Sequence, residues 1–412
     1  MIKKVKVSDL RPKMYIHDLN CGWMDHPFLR NKFRLESERD IEKIIAYGIQ
    51  DVYIDTSLGL DEKNAPIAEE ISQAIDGSLQ DIGAGAGINR SSQILVPLEK
   101  ELIKAKQVYK EANAIVRSTL QDCRMGKQVE LEKLEPIVLS VTQSIFRNPD
   151  AMFSLLRIKQ ADNYTFQHSV AVSTLLISFC RSLEIDLAFI KQAGIGGLLH
   201  DIGKMQVPNQ ILNKPGKLSE SEFNIMKTHV NKGCVLLKDI NGLSPTAFSI
   251  AAEHHERYDG SGYPKGLKAD EIGYYGQMAS IVDVYDALTS NRVYHNGSEP
   301  TEVLKKLLEW GEYHFNIQLV HHFIRTIGIY PVGTLVNLES GSLAIVVEQH
   351  HEDLLHPTVR TIFNSRSRSY TPPKDLDLSK PGNVDRIMSF EKPSRWRIDM
   401  ARHTRFSAAS LA

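Results

Sequence analysis

The stretch LLHDIGK, residues 198–204, places an imidazole and a carboxylate side by side at the end of an apolar run. Burying either group unpaired is costly, and a metal ion shared by His200 and Asp201 would offset that cost. Helix neighbours point about 100° apart, so the two reach one site only if the helix end faces it. A carboxylate has two oxygens and can join two cations, whereas an imidazole binds one. Gly203 lets the backbone turn away, and Lys204 adds a fixed positive charge. Alone, the pair reads as structural or surface.

Five further residues change that balance. His168 and Asp283 lie within apolar helical stretches, His229 within MKTHVNKG, and His254 and His255 within AAEHHERYDGSGYPKG. Nitrogen and oxygen donors without a thiolate suit iron, manganese, zinc or nickel. Seven ligands exceed the needs of one ion in a site that keeps open positions, so two ions bridged by Asp201 fit better. His321–His322 and His350–His351 are internal controls. No glycine loop follows them, and they read as structural or surface. Glu253 and Glu256 flank the histidine pair, either as acceptors for ligand imidazoles or as solvated charges. DGSGYPKG, residues 259–266, is good turn chemistry. Its position after the histidine pair favours a loop whose backbone approaches substrate, with Tyr263 against a sugar or base.

Outward from this set, the 412-residue chain divides by composition. Residues 1–75 read as a small α+β domain, with β-formers in KVKVSDL and DVYIDTS and a helix capped at Ser37 that ends near Gly48. Residues 76–93, rich in Gly and Ser, read as a flexible linker. Residues 94–149 read as linker helices. Leu98, Leu102, Ala105, Tyr109, Ala112 and Val116 form a seam in steps of 4, 3, 4, 3, 4. That seam suits a partner helix in a homodimer or the chain's own core equally. Residues 150–330 stay helical. Beyond Tyr330, YPVGTLVNL and SLAIVVEQH read as two strands, so residues 331–412 form a short β extension and tail, in which Arg395, Arg397, Arg402 and Arg405 read as solvated. The fold class is mainly α: a helical metal-binding bundle, a small α+β domain before it and a β extension after it.

The net charge of -1 gives no global attraction for nucleic acid or anionic membrane. No apolar run approaches the ~20 residues of a membrane helix, and MIKKVKVSDL lacks the apolar core of a signal peptide. Cys21, Cys123, Cys180 and Cys234 have neither C-x-x-C nor zinc-ribbon spacing and read as free thiols. A cytoplasmic protein without membrane insertion is expected.

The ordered set of His168, His200-Asp201 with Gly203-Lys204, His229, His254-His255, Gly262-Tyr263-Pro264, and Asp283 followed by ALTS resembles the HD-GYP family of phosphodiesterases, a branch of the all-helical HD superfamily. The likeness covers residues 150–330. Residues 1–75, with WMDHPFLRNKF, are similar to the small uncharacterised domain often placed before HD-GYP domains. The resemblance implies hydrolysis of cyclic di-GMP, a bacterial second messenger, to pGpG or GMP by metal-activated hydroxide. It implies that His168, His200, Asp201, His229, His254, His255 and Asp283 hold two divalent ions, iron or manganese foremost, with zinc, nickel or cobalt as alternatives. Asp201 would bridge them and act in catalysis, and Lys204 would meet a phosphate. Gly262, Tyr263 and Pro264 would line the substrate loop, with Arg292 and His295 as further substrate contacts. The family's R-P-Y-R is here Arg292-Val293-Tyr294-His295, which implies a weaker or pH-dependent second contact. The glutamate that helps hold a third metal in some members is replaced by Tyr164, with Asp162 and Asn163 nearby, which favours two metals. Two other readings stay open: a phosphohydrolase for another cyclic or linear nucleotide, and a non-catalytic sensor or scaffold with signalling partners. Balanced charge and the lack of a basic recognition helix speak against DNA binding.

Overall fold

The computed structural model describes residues 1–22, 28, 30–85, 94–157, 164–290 and 297–403. Residues 23–27 and 29 of the WMDHPFLRNKF stretch, Asp162, Asn163, Arg292, Val293, Tyr294, His295 and Arg405 lie outside them.

The N-terminal region is an antiparallel sheet of β1 (Ile2–Lys6), β2 (Tyr15–Asp18), β3 (Phe33–Arg34) and β4 (Asp51–Asp55), in the order β1-β4-β2-β3. Helix α1 (Glu38–Ala46) covers it. Its capping box is closed by Asp40, which accepts the Ser37 backbone N–H at 3.0 Å. Met14, Ile16, Ile44, Val52 and Ile54 are fully buried and give this region its own small core.

The stretch expected to be a flexible linker differs. Helix α2 (Ala68–Ala84) runs through its first half. Leu79 and Ile82 are buried in the main core, so tertiary packing overrides the loop-like composition. Helix α3 (Leu98–Arg124) carries the seam, and all six of its residues are buried in the chain's own core. The seam that suggested a homodimer is therefore already filled by the chain itself.

The bundle continues through α4 (Leu131–Arg147), α5 (Pro149–Leu156), α6 (Tyr164–Ser182), α7 (Leu187–Leu199), the short α8 (Asn209–Leu212), α9 (Glu220–Lys227) and α10 (His229–Lys238). It is completed by α11 (Pro245–Glu253), α12 (Tyr274–Thr289), α13 (Pro300–Trp310) and α14 (Ile317–Ile327). Helices α6, α7 and α12 are apolar on nearly every face because they lie at its centre. Polar side chains on them are therefore conspicuous.

The C-terminal extension is larger than the two strands expected. Five antiparallel strands, β5 (Leu335–Leu338), β6 (Ser342–Glu348), β7 (Thr358–Asn364), β8 (Ser369–Asp377) and β9 (Ile387–Phe390), form one sheet in the order β8-β7-β6-β5-β9. Two short helices follow, α15 (Pro393–Trp396) and α16 (Met400–His403). Among the described residues no helix is long and apolar enough to cross a membrane, and none of the four cysteines is in a disulfide.

Candidate metal centre

The seven expected ligands converge from different elements. His168 comes from α6, His200 and Asp201 from the end of α7, and His229 from the start of α10. His254 and His255 follow α11, and Asp283 comes from α12. They form two neighbouring groups that could each hold a metal ion: His168, His200 and Asp283, and Asp201, His229, His254 and His255. Six of the seven are buried, and His255 stands at the rim.

Asp201 spans both groups. One carboxylate oxygen, Oδ2, lies 3.3 Å from His200 Nε2 and 3.6 Å from His168 Nε2. The other, Oδ1, lies 3.3 Å from His229 Nε2 and 3.8 Å from His254 Nε2. Asp283 also reaches both ways, with Oδ1 2.9 Å from His168 Nε2 and Oδ2 3.8 Å from His255 Nδ1. Two carboxylates thus tie together two sets of imidazoles.

The imidazole protons are fixed from behind. His200 Nδ1 lies 2.9 Å from the Gly197 carbonyl, His229 Nδ1 2.8 Å from that of Met226, and His254 Nδ1 3.0 Å from that of Ala251. His168 Nδ1 lies 2.7 Å from Asp286 Oδ2. Carbonyls and carboxylates only accept, so each Nδ1 donates and each Nε2 faces inward. These inward nitrogens crowd together: the Nε2 atoms of His168 and His200 are 3.3 Å apart, and those of His229 and His254 3.5 Å. Asp201 Oδ1 is buried without a hydrogen-bond partner. A wall of imidazole nitrogens and carboxylate oxygens this crowded, with the Lys204 ammonium already drawn onto Asp201 Oδ2, fits bound cations.

The titration of the site expresses the same demand for positive charge. Burial pushes His200 down, yet Asp201 and Asp283 pull it up to about 10. Burial would raise the Asp201 carboxyl, but Lys204 and His200 outweigh it and hold it well below the usual carboxylate range. Burial takes His254 down to about 4, and His255 well below its ordinary value, so both are neutral near pH 7.

The other expected residues divide. Lys204 is ion-paired with Asp201 Oδ2. Gly262 and Tyr263 line a cavity beside His254 and His255, whereas Pro264 is not among its walls. Arg292 and His295 lie outside the described residues. Gly203 has a sharper role than a turn: a Cβ there would stand 1.9 Å from the His229 carbonyl oxygen, so glycine lets α10 approach. Glu253 and Glu256 hold no imidazole. Glu253 accepts the Gly273 N–H at 2.8 Å. Glu256 accepts the N–H groups of Lys265 and Leu267 at 2.8 and 3.0 Å and so pins the loop after Pro264. The control pairs His321–His322 and His350–His351 join neither metal-binding group. Asp286 was missed by the sequence reading, although its place three residues after Asp283 on an apolar helix was a usable signal.

Two family models match the chain: a domain of unknown function, DUF3391, over residues 2–134, and an HD domain over residues 143–319. The first extends well past the residue 75 boundary expected from composition. The chain is 40% identical over 397 residues to a cyclic di-GMP phosphodiesterase, PA4108, of Pseudomonas aeruginosa, covering 96% of this chain and 94% of that protein. A 3'3'-cGAMP-specific phosphodiesterase 1 of Vibrio cholerae is 37% identical over 37% of this chain and 36% of its own length. A solved HDG"Y"P protein, Bd1817, from Bdellovibrio bacteriovorus shares 19% identity over 78% of this chain and 98% of its own, with a TM-score of 0.45. Near-complete coverage of the Pseudomonas relative, together with the HD ligand set and the GYP loop, places this chain in the HD-GYP family of metal-dependent phosphodiesterases, with a DUF3391 domain ahead of its HD domain.

Proposed function

We propose that this chain hydrolyses cyclic di-GMP to pGpG or GMP, using two divalent metal ions, iron or manganese foremost, bridged by Asp201. The observation that carries the reading is the division of Asp201, one oxygen toward each group of imidazoles. The activity named for the Pseudomonas relative supports the substrate. His168, His200 and Asp283 would hold one ion, and His229, His254 and His255 the other. Divalent ions there would supply a nucleophile from water near neutral pH and take up charge on the phosphate.

The chain's own groups do the rest. The backbone carbonyls behind His200, His229 and His254 and the Asp286 carboxylate keep each proton on Nδ1, so no imidazole turns away. A cation on Asp201 competes with the Lys204 ammonium for the same oxygen, which leaves Lys204 to meet a phosphate oxygen and stabilise charge as it builds. Tyr263 offers a ring beside His255, their centroids 4.6 Å apart and nearly parallel, where a base or sugar could pack. Arg292 and His295 are assigned as further phosphate contacts on the strength of the family motif.

A second substrate, 3'3'-cGAMP, is favoured by the name of the Vibrio relative. The sensor reading draws no support from the ligand set, since all seven residues are in place. The deciding experiment is product analysis with manganese or ferrous iron under oxygen-poor conditions. Cyclic di-GMP and 3'3'-cGAMP are supplied separately, and pGpG and GMP are followed by chromatography beside the His200→Ala, Asp201→Ala double variant. Metal-dependent pGpG or GMP from the parent alone is the expected result. Binding without cleavage would overturn the enzymatic reading.

A further inference from the structure

The cavity beside His254 and His255 is not walled by the HD domain alone. Tyr47, from the turn that follows α1 in the N-terminal domain, lines it together with Phe223, Lys227, Tyr263 and Trp310. A chain of rings leads outward from the metal ligands. His255 stacks on Tyr263, and the Lys227 ammonium stands 5.9 Å from the centre of the Tyr263 ring and 5.1 Å from that of Phe223. Phe223 meets Tyr47 edge-on at 6.3 Å. Tyr47 is braced behind by Phe28, their ring centres 5.9 Å apart.

The N-terminal domain is fixed in that place. Gly48, with φ +70°, is so close to the GYP loop that a Cβ would stand 2.5 Å from Ser261 Cβ. Gln50 donates to Asp259 at 3.1 Å in the same loop. On the far side Glu309 of α13 accepts from Tyr53 at 2.7 Å and pairs with Lys4 at 2.9 Å. Trp310, a cavity wall, donates to Asn20 at 3.1 Å.

Aromatic faces with a cation between them suit a nucleobase joined to a phosphate: rings stack on bases, and the ammonium takes the charge. We propose that Tyr47 is a specificity-determining residue: the N-terminal domain completes the substrate site, and the Tyr47 ring packs on a guanine of the cyclic dinucleotide whose phosphate is at the metal centre. This rests on the cyclic dinucleotide reading above. It gives the N-terminal domain a part in substrate choice.

The test compares cyclic di-GMP with bis(p-nitrophenyl) phosphate, a diester without a nucleobase, in the full-length metal-loaded enzyme. In Tyr47→Ala the KM for cyclic di-GMP rises about ten-fold or more, more than kcat falls. The ratio of kcat/KM for the dinucleotide to that for the small diester drops accordingly, and Tyr47→Phe restores it. Tyr47→Leu, which keeps apolar contact with Phe28 but has no ring, replaces the alanine variant if that fails to fold. An unchanged ratio, as mere loosening of the domain would give, overturns the proposal. So does an equal drop in Tyr47→Phe. Failure of the underlying reading shows in the parent, which would then cleave the small diester and leave cyclic di-GMP intact.

Discussion

His168 Nδ1 lies 2.7 Å from Asp286 Oδ2, while its Nε2 lies 2.9 Å from Asp283 Oδ1. One imidazole is thus held between two carboxylates one helical turn apart on α12. Asp286 sets the proton on Nδ1, and Asp283 shares the inward side of the ring. The arrangement makes Asp286 a positioning residue for a metal ligand.

Asp286→Ala should therefore lower metal affinity about 10–100-fold without unfolding the bundle. Asp286→Asn keeps an acceptor but loses the charge, and its loss should be smaller. Metal content after dialysis against graded chelator checks the order parent, asparagine, alanine. Equal retention in all three would remove Asp286 from the site.

His200 and Asp201 act on the same cations, so their losses should not add. Each single alanine variant should reduce turnover of cyclic di-GMP nearly as far as the double variant, as groups acting as one unit do. Steady-state rates of the three proteins measure this. A double variant reduced by the product of the two single losses would show independent roles.

Ions that bind the folded site and not the unfolded chain stabilise the fold by mass action. Chelation should lower the Tm of the parent by several degrees and leave that of Asp201→Ala almost unmoved. Thermal melts with and without EDTA give the answer, and a parent insensitive to chelator would contradict a loaded site.

Candidate ligands were legible where an ionisable group is set in an apolar helix, where burial demands a partner, and His229, His254 and His255 only as members of the ordered set. His200-Asp201 and Asp283 stood out for that reason. Asp286 carries the same signal on the same helix, three residues after Asp283. The α1 capping box at Ser37 was local and readable. The helix through Leu79 and Ile82 was not, because glycine and serine spacing predicts a linker until distant apolar partners appear. Tyr47 had no local signal either: its role comes from contact with Phe223, far along the chain, and no periodicity records such a meeting. The seam on α3 was legible as apolar, but its partner was not.

Lys4 pairs with Asp51 at 3.0 Å and with Glu309 at 2.9 Å, all three largely shielded from solvent. Lys4→Met leaves two facing carboxylates without a cation and should cost about 3 kcal/mol in urea unfolding. Adding Glu309→Gln to that variant removes one of the two charges and should recover part of the loss. A double variant less stable than Lys4→Met would show that Glu309 serves through Tyr53 and Asn20 instead.

Asp150 joins the bundle to the C-terminal sheet by accepting the Gln349 N–H at 2.7 Å, while its Oδ1 is buried without a partner. Burial pushes its carboxyl up to about 7. A folded-state value above the unfolded one means that the protonated form is favoured by folding. The stability it gives is complete below the ordinary carboxylate value and is lost as pH rises to about 7. Asp150→Asn is neutral throughout and lacks that loss. The variant's stability relative to the parent should therefore grow by about 2 kcal/mol between pH 5 and pH 7.5. Urea unfolding of both proteins at the two pH values measures the difference, from which other titrating groups cancel. A constant difference would place an ordinary carboxylate at this junction.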